Sequence, residues 1–450
     1  MKILLVATNR MMTPFPVYPI GVDYVATALR DGHEVRVMDL ACDDADATLT
    51  ARCRDWQPDF VGLSIRNIDN VEAESPLGFI PEIERIAKLV RTECSARLVL
   101  GGPGFSIFPE ALMNRLGADF GVIGEGERLV DLLDALATSD SAKVTAIPGI
   151  LVGNRRLASP APWVGLQRRA LTSPDTVTHY LRWGGMLNLQ TKRGCPFRCS
   201  YCTYPGIEGR RLRLRDPDEV AREWRSLVDA GAKFLFITDS VFNSHVRHNL
   251  AVAEALLRNG LTVPWGAFFA PTRPPPDYYR RLRETGLTHA EFGTESFSPS
   301  MLRRYRKPFT VEHALAAHAE AKACGLHVAH YIMLGGPGET ADTVKETLDR
   351  CDAITDAALF FFCGARIYPS TELHTIALQE GQITCEDELI EPRFYVPAGI
   401  SLERMSALVS ERAQGRRHWV TGSGSAEMAQ VLKRMYQRGR TGPLWDRLVA

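Results

Sequence analysis

Short apolar runs alternate with amphipathic helical patterns along most of this chain, and that alternation limits its fold more than any other feature. Five runs of strand length occur in the first 140 residues: Ile3–Ala7, Glu34–Met38, Phe60–Ile65, Arg97–Leu100 and Phe120–Ile123. Alternation at this spacing is typical of a parallel sheet with helices on both faces. The sequence therefore predicts an α/β fold that begins with a Rossmann-like, doubly wound sheet over residues 1–140.

A second series of strand and helix patterns runs from residue 186 to residue 380. Its six predicted strands are Leu187–Gln190, Phe234–Ile237, Thr262–Phe269, His289–Phe292, His327–Leu334 and Ala358–Ala365. This alternation predicts parallel strands with helices between them, and in barrels of such strands the chemistry gathers at the carboxyl ends of the strands. Prolines interrupt residues 141–185, which are predicted to be a connector. Residues 381–450 are predicted to be a small, mainly helical region that closes over the barrel mouth and helps to select the substrate.

The composition argues against several classes of protein. Hydrophobic residues make up 45% and charged residues 24% of the 450 positions, as in globular rather than disordered chains. The 53 basic residues balance 53 acidic ones, so net charge does not favour nucleic acid or an anionic membrane as a partner. No apolar run approaches the roughly 20 residues of a spanning helix, and the opening segment lacks the features of a signal peptide. We therefore expect a cytoplasmic protein without a membrane span.

Three of the ten cysteines stand close together in KRGCPFRCSYC, at Cys195, Cys199 and Cys202. Three thiolates can hold three irons of a [4Fe-4S] cluster and leave the fourth iron open, whereas a closed electron-transfer cluster normally uses four cysteines. Structural zinc is the competing interpretation, and it would need one more Cys or His ligand. The nearest candidates in sequence are His179 and His245. The spacing therefore favours an iron–sulfur cluster with one open iron.

The C-x3-C-x2-C spacing, with Tyr201 before the third cysteine, resembles the signature of the radical SAM superfamily. The stretch from Tyr18 to Leu40, together with LVLGGPGF and VIGEGE, resembles the cobalamin-binding domains that precede many radical SAM enzymes. The resemblance implies that the six strands of residues 186–380 form a partial (β/α)6 barrel. It further implies three cofactors: a [4Fe-4S] cluster, S-adenosylmethionine (SAM) and cobalamin. It also implies an external electron donor of the flavodoxin or ferredoxin type, and a small molecule or biosynthetic intermediate as substrate.

Loops at the carboxyl ends of the first sheet are the predicted cobalamin site, because glycines there let backbone approach a ligand closely. The candidate residues are Ser64, Arg66, Gly101, Gly102, Gly124, Glu125 and Gly126. Many cobalamin domains supply a histidine to cobalt from an Asp-x-His-x-x-Gly loop, which this chain lacks. In its place Arg66 could lie under the corrin ring, where a guanidinium would leave cobalt uncoordinated on that face. The competing interpretations are that the glycines only make tight turns and that Arg66 pairs with Asp69 or Glu72.

The same resemblance assigns roles at the mouth of the predicted barrel. Asp239 stands where the family contacts the methionine end of SAM, Glu295 where it holds ribose hydroxyls, and residues 335–339 where backbone meets adenine. The cofactor-binding candidates of this half are Tyr201, Asp239, Glu295, Gly335, Gly336 and Glu339. Arg366 and Tyr368 are the candidate catalytic residues, which touch substrate or cofactor or else simply cap the barrel. The competing role for Asp239 and Glu295 is that of helix-capping acids.

A cobalamin domain in front of a radical SAM barrel implies radical alkyl chemistry. The favoured function is methylation of an unactivated carbon, in which cobalt takes a methyl group from one SAM and a 5′-deoxyadenosyl radical from a second abstracts substrate hydrogen. S-adenosylhomocysteine and 5′-deoxyadenosine are the expected paired products. The runner-up with the same cofactors is cyclisation, ring contraction or rearrangement without methyl transfer. The sequence also leaves open a cobalamin sensor or electron carrier with a closed cluster, and a first domain that docks a partner without corrin.

Overall fold

The computed structural model describes residues 1–12, 15–42, 44–138, 141–153, 155–156, 161, 173–422 and 426–449. These residues form two α/β units, each built on a seven-stranded sheet. Much of the predicted connector, including 157–160 and 162–172, lies outside the described residues. Within the described part of the chain, no helix combines the length and the apolar character that crossing a membrane requires.

The sheet of the first unit has the strand order β2-β1-β3-β4-β5-β6-β7, and its first five strands are parallel. The strands are β1 Lys2–Ala7, β2 Glu34–Asp39, β3 Phe60–Ser64, β4 Arg97–Gly101, β5 Phe120–Val122, β6 Ile150–Val152 and β7 Arg155–Arg156. The helices are α1 Ile20–Leu29, α2 Ala45–Ala51, α3 Ile80–Glu93, α4 Pro103–Ile107, α5 Pro109–Leu116, α6 Leu129–Ala137 and α7 Ser141–Ala146. The predicted doubly wound sheet is confirmed. The antiparallel hairpin β6–β7 extends it into the proline-interrupted segment, where the apolar pattern was too weak to reveal strands.

Helices cover both faces of this sheet, so its central strands are continuous apolar runs rather than alternating ones. Leu4 and Val6 of β1 belong to one core, and Ile3 and Leu5 belong to the core on the other face. The strand order reverses between β1 and β3. In open α/β sheets ligands bind outside the carboxyl ends of the strands at such a reversal. The loops after β1, β3, β4 and β5 therefore decide what this unit binds.

Seven parallel strands form the partial barrel of the second unit, in the order β8-β11-β12-β13-β14-β15-β18. The strands are β8 Met186–Leu189, β9 Lys192–Arg193, β10 Arg213–Leu214, β11 Phe234–Ile237, β12 Trp265–Phe269, β13 Leu287–Glu295, β14 His327–Leu334, β15 Ala358–Cys363, β16 Ala365–Arg366, β17 Phe394–Tyr395 and β18 Trp419–Thr421. Two short antiparallel pairs, β9–β10 and β16–β17, lie outside the barrel sheet. The six predicted strands are present, and β18 adds a seventh from the region predicted to be mainly helical.

Eleven described helices accompany the strands of this unit. They are α8 Pro174–Arg182, α9 Tyr204–Ile207, α10 Pro217–Asp229, α11 Val246–Arg258, α12 Tyr278–Glu284, α13 Pro299–Arg304, α14 Val311–Ala323, α15 Ala341–Asp352, α16 Glu372–Gln379, α17 Leu402–Ala413 and α18 Ala426–Gln437. The barrel strands turn Leu187, Ala267 and Phe292 outward into a core shared with these helices. The alternate side chains, such as Phe236 and Phe268, point into the barrel, because successive side chains of a strand face opposite sides.

The C-terminal segment, which includes the helical turn Trp445–Leu448, packs inside the amino-terminal half of the barrel. Trp445 is buried there, and its indole nitrogen donates a hydrogen bond of 2.8 Å to Glu291 on β13. Tyr331 on β14 donates another hydrogen bond of 2.8 Å to the same carboxylate. Residues 381–450 lie only in part at the barrel mouth, where Gly399 bridges to Thr340 and Met405 lies beside Gly335 after β14. That they close over it and select the substrate stays a prediction. Their last described helical turn packs at the other end of the barrel, where Trp445 joins a cluster with Phe360 and Val420.

Candidate active site at the mouth of the barrel

The three clustered cysteines lie in a loop beyond the carboxyl end of β8. In this cysteine loop, residues 194–202, Gly194 has a φ of +95°, and a Cβ there would come within 2.3 Å of the Arg211 carbonyl oxygen. The Cys195 amide donates to the Gly209 carbonyl at 3.0 Å, and the Cys202 amide donates to the Cys199 carbonyl at 3.2 Å. Close backbone contacts thus fix the path of the loop.

The donor set of the cysteine loop fits an iron–sulfur cluster. All ten cysteines are free thiols. Burial raises the pKa of the Cys195, Cys199 and Cys202 thiols, that of Cys202 to about 12, so a thiolate here needs a cation beside it. Among the described residues, no three His, Cys, Asp or Glu side chains converge as the ligands of one metal ion do. Three thiolates carried by one short loop can each bind a separate iron of a [4Fe-4S] cluster.

A buried cation, Lys307, stands beside the cysteine loop and is absent from the predicted site residues. Its ammonium donates to Glu295 Oε1 and to the Tyr201 hydroxyl, each at 3.2 Å. Tyr201 in turn donates to the same Oε1 at 2.8 Å. Burial disfavours the charged form, but Glu295 and the Cys199 thiolate outweigh it and raise the pKa of Lys307. Sequence reasoning missed this residue because it follows α13 outside any motif.

Glu295 ends β13 in an uncommon backbone conformation, with a φ of +64°. The register of β13 against β14 shifts between Gly293 and Glu295, and a bulge of this kind re-aims the side chain that follows it. Both hydrogen bonds to the carboxylate end on Oε1, and among the described residues Oε2 has no hydrogen-bond partner. This geometry leaves one oxygen to accept a bond from a hydroxyl, as the ribose prediction requires.

The predicted contact of Asp239 with SAM is not supported by the geometry. The side chain is buried, and four donors surround it: the Thr191 amide at 2.7 Å, the Thr191 hydroxyl at 2.5 Å, the Lys192 amide at 3.2 Å and the Lys192 ammonium at 2.6 Å. A carboxylate offers about four acceptor positions, so these bonds occupy them all. Asp239 therefore holds the segment that leads into the cysteine loop.

The glycine-rich loop after β14 is closed by internal hydrogen bonds. The Gly335 amide donates to Glu339 at 3.2 Å, and the Gly336 amide donates to the Tyr305 hydroxyl at 3.1 Å. Glu339 is buried and also accepts from Thr343. These bonds engage the amides of both glycines and both oxygens of Glu339. Contacts of SAM with the Gly335 and Gly336 amides would require these bonds to break, whereas the Glu339 carboxylate keeps further acceptor positions.

The two candidate catalytic residues lie at the interface between the units. Arg366 is buried, and its Nε donates to Asp69 at 3.0 Å. Its other nitrogens donate to the carbonyls of Ile367 and Leu389 at 2.7 Å, with longer bonds to those of Ile390 and Arg393. Five acceptors face the five N–H groups of a guanidinium, so none is left for a substrate.

Tyr368 packs on Arg366 and Phe108. Its ring centre lies 4.8 Å from the guanidinium carbon of Arg366 and 6.3 Å from the ring centre of Phe108. The geometry therefore gives Arg366 a structural role rather than the predicted catalytic one, while the catalytic role of Tyr368 stays a prediction.

A cavity of about 410 Å³, including its open mouth, lies at the carboxyl edge of the first sheet. Its lining is apolar and rich in glycine, and it includes Ser64, Gly101, Gly102 and Gly126 of the predicted cobalamin residues. Gly102 has a φ of +98°, and a Cβ there would come within 2.6 Å of the Ile65 carbonyl oxygen. The glycine thus lets the loop after β4 close against the loop after β3. The cavity fits an apolar ligand segment inserted between the sheet and α1.

Arg66 follows β3 beside this cavity. Burial lowers the pKa of its guanidinium, although Tyr204, Tyr180 and Asp39 oppose that effect. Within the described chain Arg66 has no hydrogen-bond partner, so the competing pairing with Asp69 or Glu72 is not seen. Asp39, held by the Tyr180 hydroxyl at 3.0 Å, has a pKa raised by burial to about 6. A half-buried arginine between the two units fits the prediction that it faces a cofactor ring.

Two of the predicted cobalamin residues contact the second unit instead. Glu125 pairs with Arg213, and its Oε1 lies 3.7 Å from Arg193. Gly124 has a φ of +79°, and a Cβ there would come within 3.3 Å of the Ile207 carbonyl oxygen in α9. The predicted corrin contact of Glu125 is therefore not supported, because its charge is already neutralised within the protein.

Comparisons with known proteins agree with this architecture. The model of the radical SAM superfamily matches residues 189–351, and the model of the B12 binding domain matches residues 11–134. Tryptophan 2-C-methyltransferase of Streptomyces laurentii is 28% identical over 79% of this chain and 71% of its own length. Anaerobic magnesium-protoporphyrin IX monomethyl ester cyclase of Rubrivivax gelatinosus is 28% identical over 73% of this chain and 61% of its own length.

A solved structure shares the whole fold. The radical SAM methyltransferase TsrM from Kitasatospora setae, determined with cobalamin and a [4Fe-4S] cluster, superposes with a TM-score of 0.87 at 24% identity. The match covers 100% of this chain and 97% of that one. At this identity the comparison establishes the fold. The two domain matches show that this chain combines a B12 binding domain with a radical SAM domain that follows it.

Proposed function

We propose that this chain is a cobalamin-dependent radical SAM methyltransferase that methylates an unactivated carbon of a small molecule. One observation carries the proposal: the loop that lines the cavity of the first unit is ion-paired to Arg193, two residues before Cys195. The cavity of the first unit and the cysteine loop are thus neighbours across one interface. When bound, the cluster supplies the electron that splits SAM, and cobalamin supplies a carrier for the methyl group.

The residues that would hold the cofactors lie on both sides of that interface. Cys195, Cys199 and Cys202 would hold a [4Fe-4S] cluster, and Glu295 would accept hydrogen bonds from SAM. Lys307 and Tyr201 orient Glu295, since both donate to its Oε1. The cavity of the first unit would take the apolar tail of cobalamin. Arg66 would face the ring, where it cannot coordinate cobalt because a guanidinium has no free lone pair at neutral pH.

The inner wall of the barrel favours a substrate with a flat apolar part. Phe268 is 38% exposed there, and Tyr331 beside it is partly exposed. Their rings are 5.9 Å apart, and Tyr331 stacks on Phe360 and Phe362 at 5.0 and 6.4 Å. Aromatic walls hold planar groups by stacking. TsrM was also solved with tryptophan as its substrate, which makes tryptophan a reasonable first probe. We propose a flavodoxin or ferredoxin as the external electron donor.

The test uses anaerobically reconstituted full-length protein with hydroxocobalamin, a reductant, tryptophan and SAM carrying a deuterated methyl group. We expect S-adenosylhomocysteine and 5′-deoxyadenosine to accumulate together, and a deuterated methyl group to appear in the substrate. A Cys199→Ala variant is the control, and it should form neither product. If the native protein binds both cofactors but forms neither product with tryptophan or with a panel of planar metabolites, methyl transfer is contradicted.

The resemblance to the anaerobic cyclase supports a second candidate, cyclisation or rearrangement with the same cofactors. That chemistry consumes SAM as a radical source without transferring its methyl group. In the same assay it would yield 5′-deoxyadenosine without S-adenosylhomocysteine, so the ratio of the two products separates the candidates.

A further inference from the structure

The loop after β5 faces both cofactor regions at once. This acidic loop, residues 124–127, contributes Gly126 to the lining of the cavity in the first unit. The other two predicted cobalamin residues of this loop, Gly124 and Glu125, face the second unit instead. A Cβ on Gly124 would touch the Ile207 carbonyl oxygen, and Glu125 pairs with Arg213. A four-residue loop therefore spans the distance between the cavity and the second unit.

The carboxylates of the acidic loop end on Arg193. Glu127 Oε1 lies 2.8 Å from Arg193 Nη2, and the two side chains are 4% and 8% exposed. Arg193 also donates to Gln190 Oε1 at 3.0 Å, and its guanidinium lies 4.9 Å from the centre of the Tyr24 ring on α1. Away from water such a pair is hard to separate, because each charge would be left without a partner.

A displacement of Arg193 would also displace Cys195, because the segment between them is tightly packed. Gly194 separates the two residues, and a Cβ there would collide with the Arg211 carbonyl oxygen at 2.3 Å. The Gly194 amide donates to Glu208 at 3.1 Å, and Glu208 also accepts from Gln190 and Ser240. Tightly packed contacts of this kind transmit displacement rather than absorb it.

We propose that the acidic loop couples the two cofactor sites, with Glu127 as the positioning residue that holds the cysteine loop through Arg193. A ligand in the cavity contacts Gly126 and further restrains the acidic loop, whose pairing with Arg193 in turn restrains Cys195. Coupling is reciprocal, so a bound cluster strengthens the hold of the first unit on cobalamin by the same factor. This inference rests on the proposed function, because it takes the cavity as the cobalamin site and the three cysteines as cluster ligands.

Hydrogen–deuterium exchange of the full-length, cluster-free protein tests the coupling, with hydroxocobalamin as the probe. In the native protein we expect hydroxocobalamin to slow exchange in the acidic loop and, by at least about threefold, in residues 190–202. In Glu127→Gln the first effect should remain and the second should disappear. Asp69→Asn is the matched control, because it breaks another buried ion pair between the units, at 3.0 Å from Arg366, and should keep both effects.

A second measurement uses the dissociation constant of hydroxocobalamin, with and without the reconstituted cluster. The native protein should bind about tenfold more tightly with the cluster, within the usual range of coupling between sites. Glu127→Gln should bind equally in both forms, and its binding also shows that the first unit has folded. If the native protein binds hydroxocobalamin equally with and without the cluster, and residues 190–202 are unprotected, the coupling is wrong while the proposed function survives. If hydroxocobalamin does not bind the native protein at all, the proposed function itself fails.

Discussion

Glu295, Tyr201 and Lys307 depend on one another at the barrel mouth. Oε1 of Glu295 accepts from both partners, which fixes the carboxylate, while Oε2 has no hydrogen-bond partner in the described part of the chain. Lys307 in turn lies close enough to Cys199 for the thiolate to raise the pKa of the ammonium. A single buried lysine thus connects the proposed SAM contact with a cluster ligand, which explains why an unmarked residue belongs to the site.

Glu295→Gln is expected to raise the dissociation constant for SAM about tenfold. The amide keeps an oxygen but loses the charge, and hydrogen bonds to charged groups contribute about 1.5–3 kcal/mol. Equilibrium binding of SAM to anaerobically reconstituted protein measures the effect, with iron content determined in parallel. Glu291→Gln, on the same strand but inside the barrel base, serves as control and should bind SAM normally. Unchanged affinity in Glu295→Gln would remove this carboxylate from the SAM site.

At the level of elements, β13 anchors the C-terminal segment through a buried carboxylate. Glu291 accepts from Trp445 and Tyr331, but burial outweighs both bonds and raises its pKa from 4.5 to about 7. The folded protein therefore holds a proton on Glu291 that the unfolded chain releases above pH 4.5. The stability from this group is complete below pH 4.5, falls as the pH rises through 7, and is then lost.

Glu291→Gln should become more stable than the native protein as the pH rises from 5 to 8. A pKa raised from 4.5 to about 7 corresponds to roughly 3 kcal/mol, and the amide escapes that cost because it does not ionise. Thermal unfolding followed by circular dichroism between pH 5 and pH 8 measures the difference. The exposed Glu320→Gln should follow the native profile. A difference that stays constant with pH would show that Glu291 does not titrate in this range.

On the scale of the whole molecule, buried charges hold the two units together. Asp69 in the first unit and Arg366 in the second form an ion pair whose side chains are at most 1% exposed. Arg193 and Glu127 make a second such contact near the cysteine loop. The two pairs connect loops after β3 and β5 of the first unit to the second unit, so they restrain the carboxyl edge of the first sheet against the barrel.

Arg366→Met separates a structural role from a catalytic one. The variant leaves Asp69 buried without a counter-ion, which typically destabilises a protein by about 3–5 kcal/mol. We expect a lowered thermal midpoint, together with iron content, SAM affinity and hydroxocobalamin affinity within about twofold of native. Arg447→Met removes an exposed arginine and should leave the midpoint unchanged. Native stability with lost turnover would instead restore Arg366 as a catalytic residue.

The short strands β6, β7 and β18 escaped the sequence analysis, but the main strands and helices, the two α/β units and the three cysteines could be predicted from it. Each of these depends on local periodicity or on spacing within a few residues, which the chain shows directly. Which charges meet depends instead on the folded arrangement of the chain. Asp69 and Arg366 are 297 positions apart, and Arg213 and Glu125 are 88 apart. Asp239, Arg366 and Glu125 resemble site residues in sequence, yet in the fold their charges pair with partners inside the protein. Lys307 becomes a site residue through contacts that no local pattern encodes.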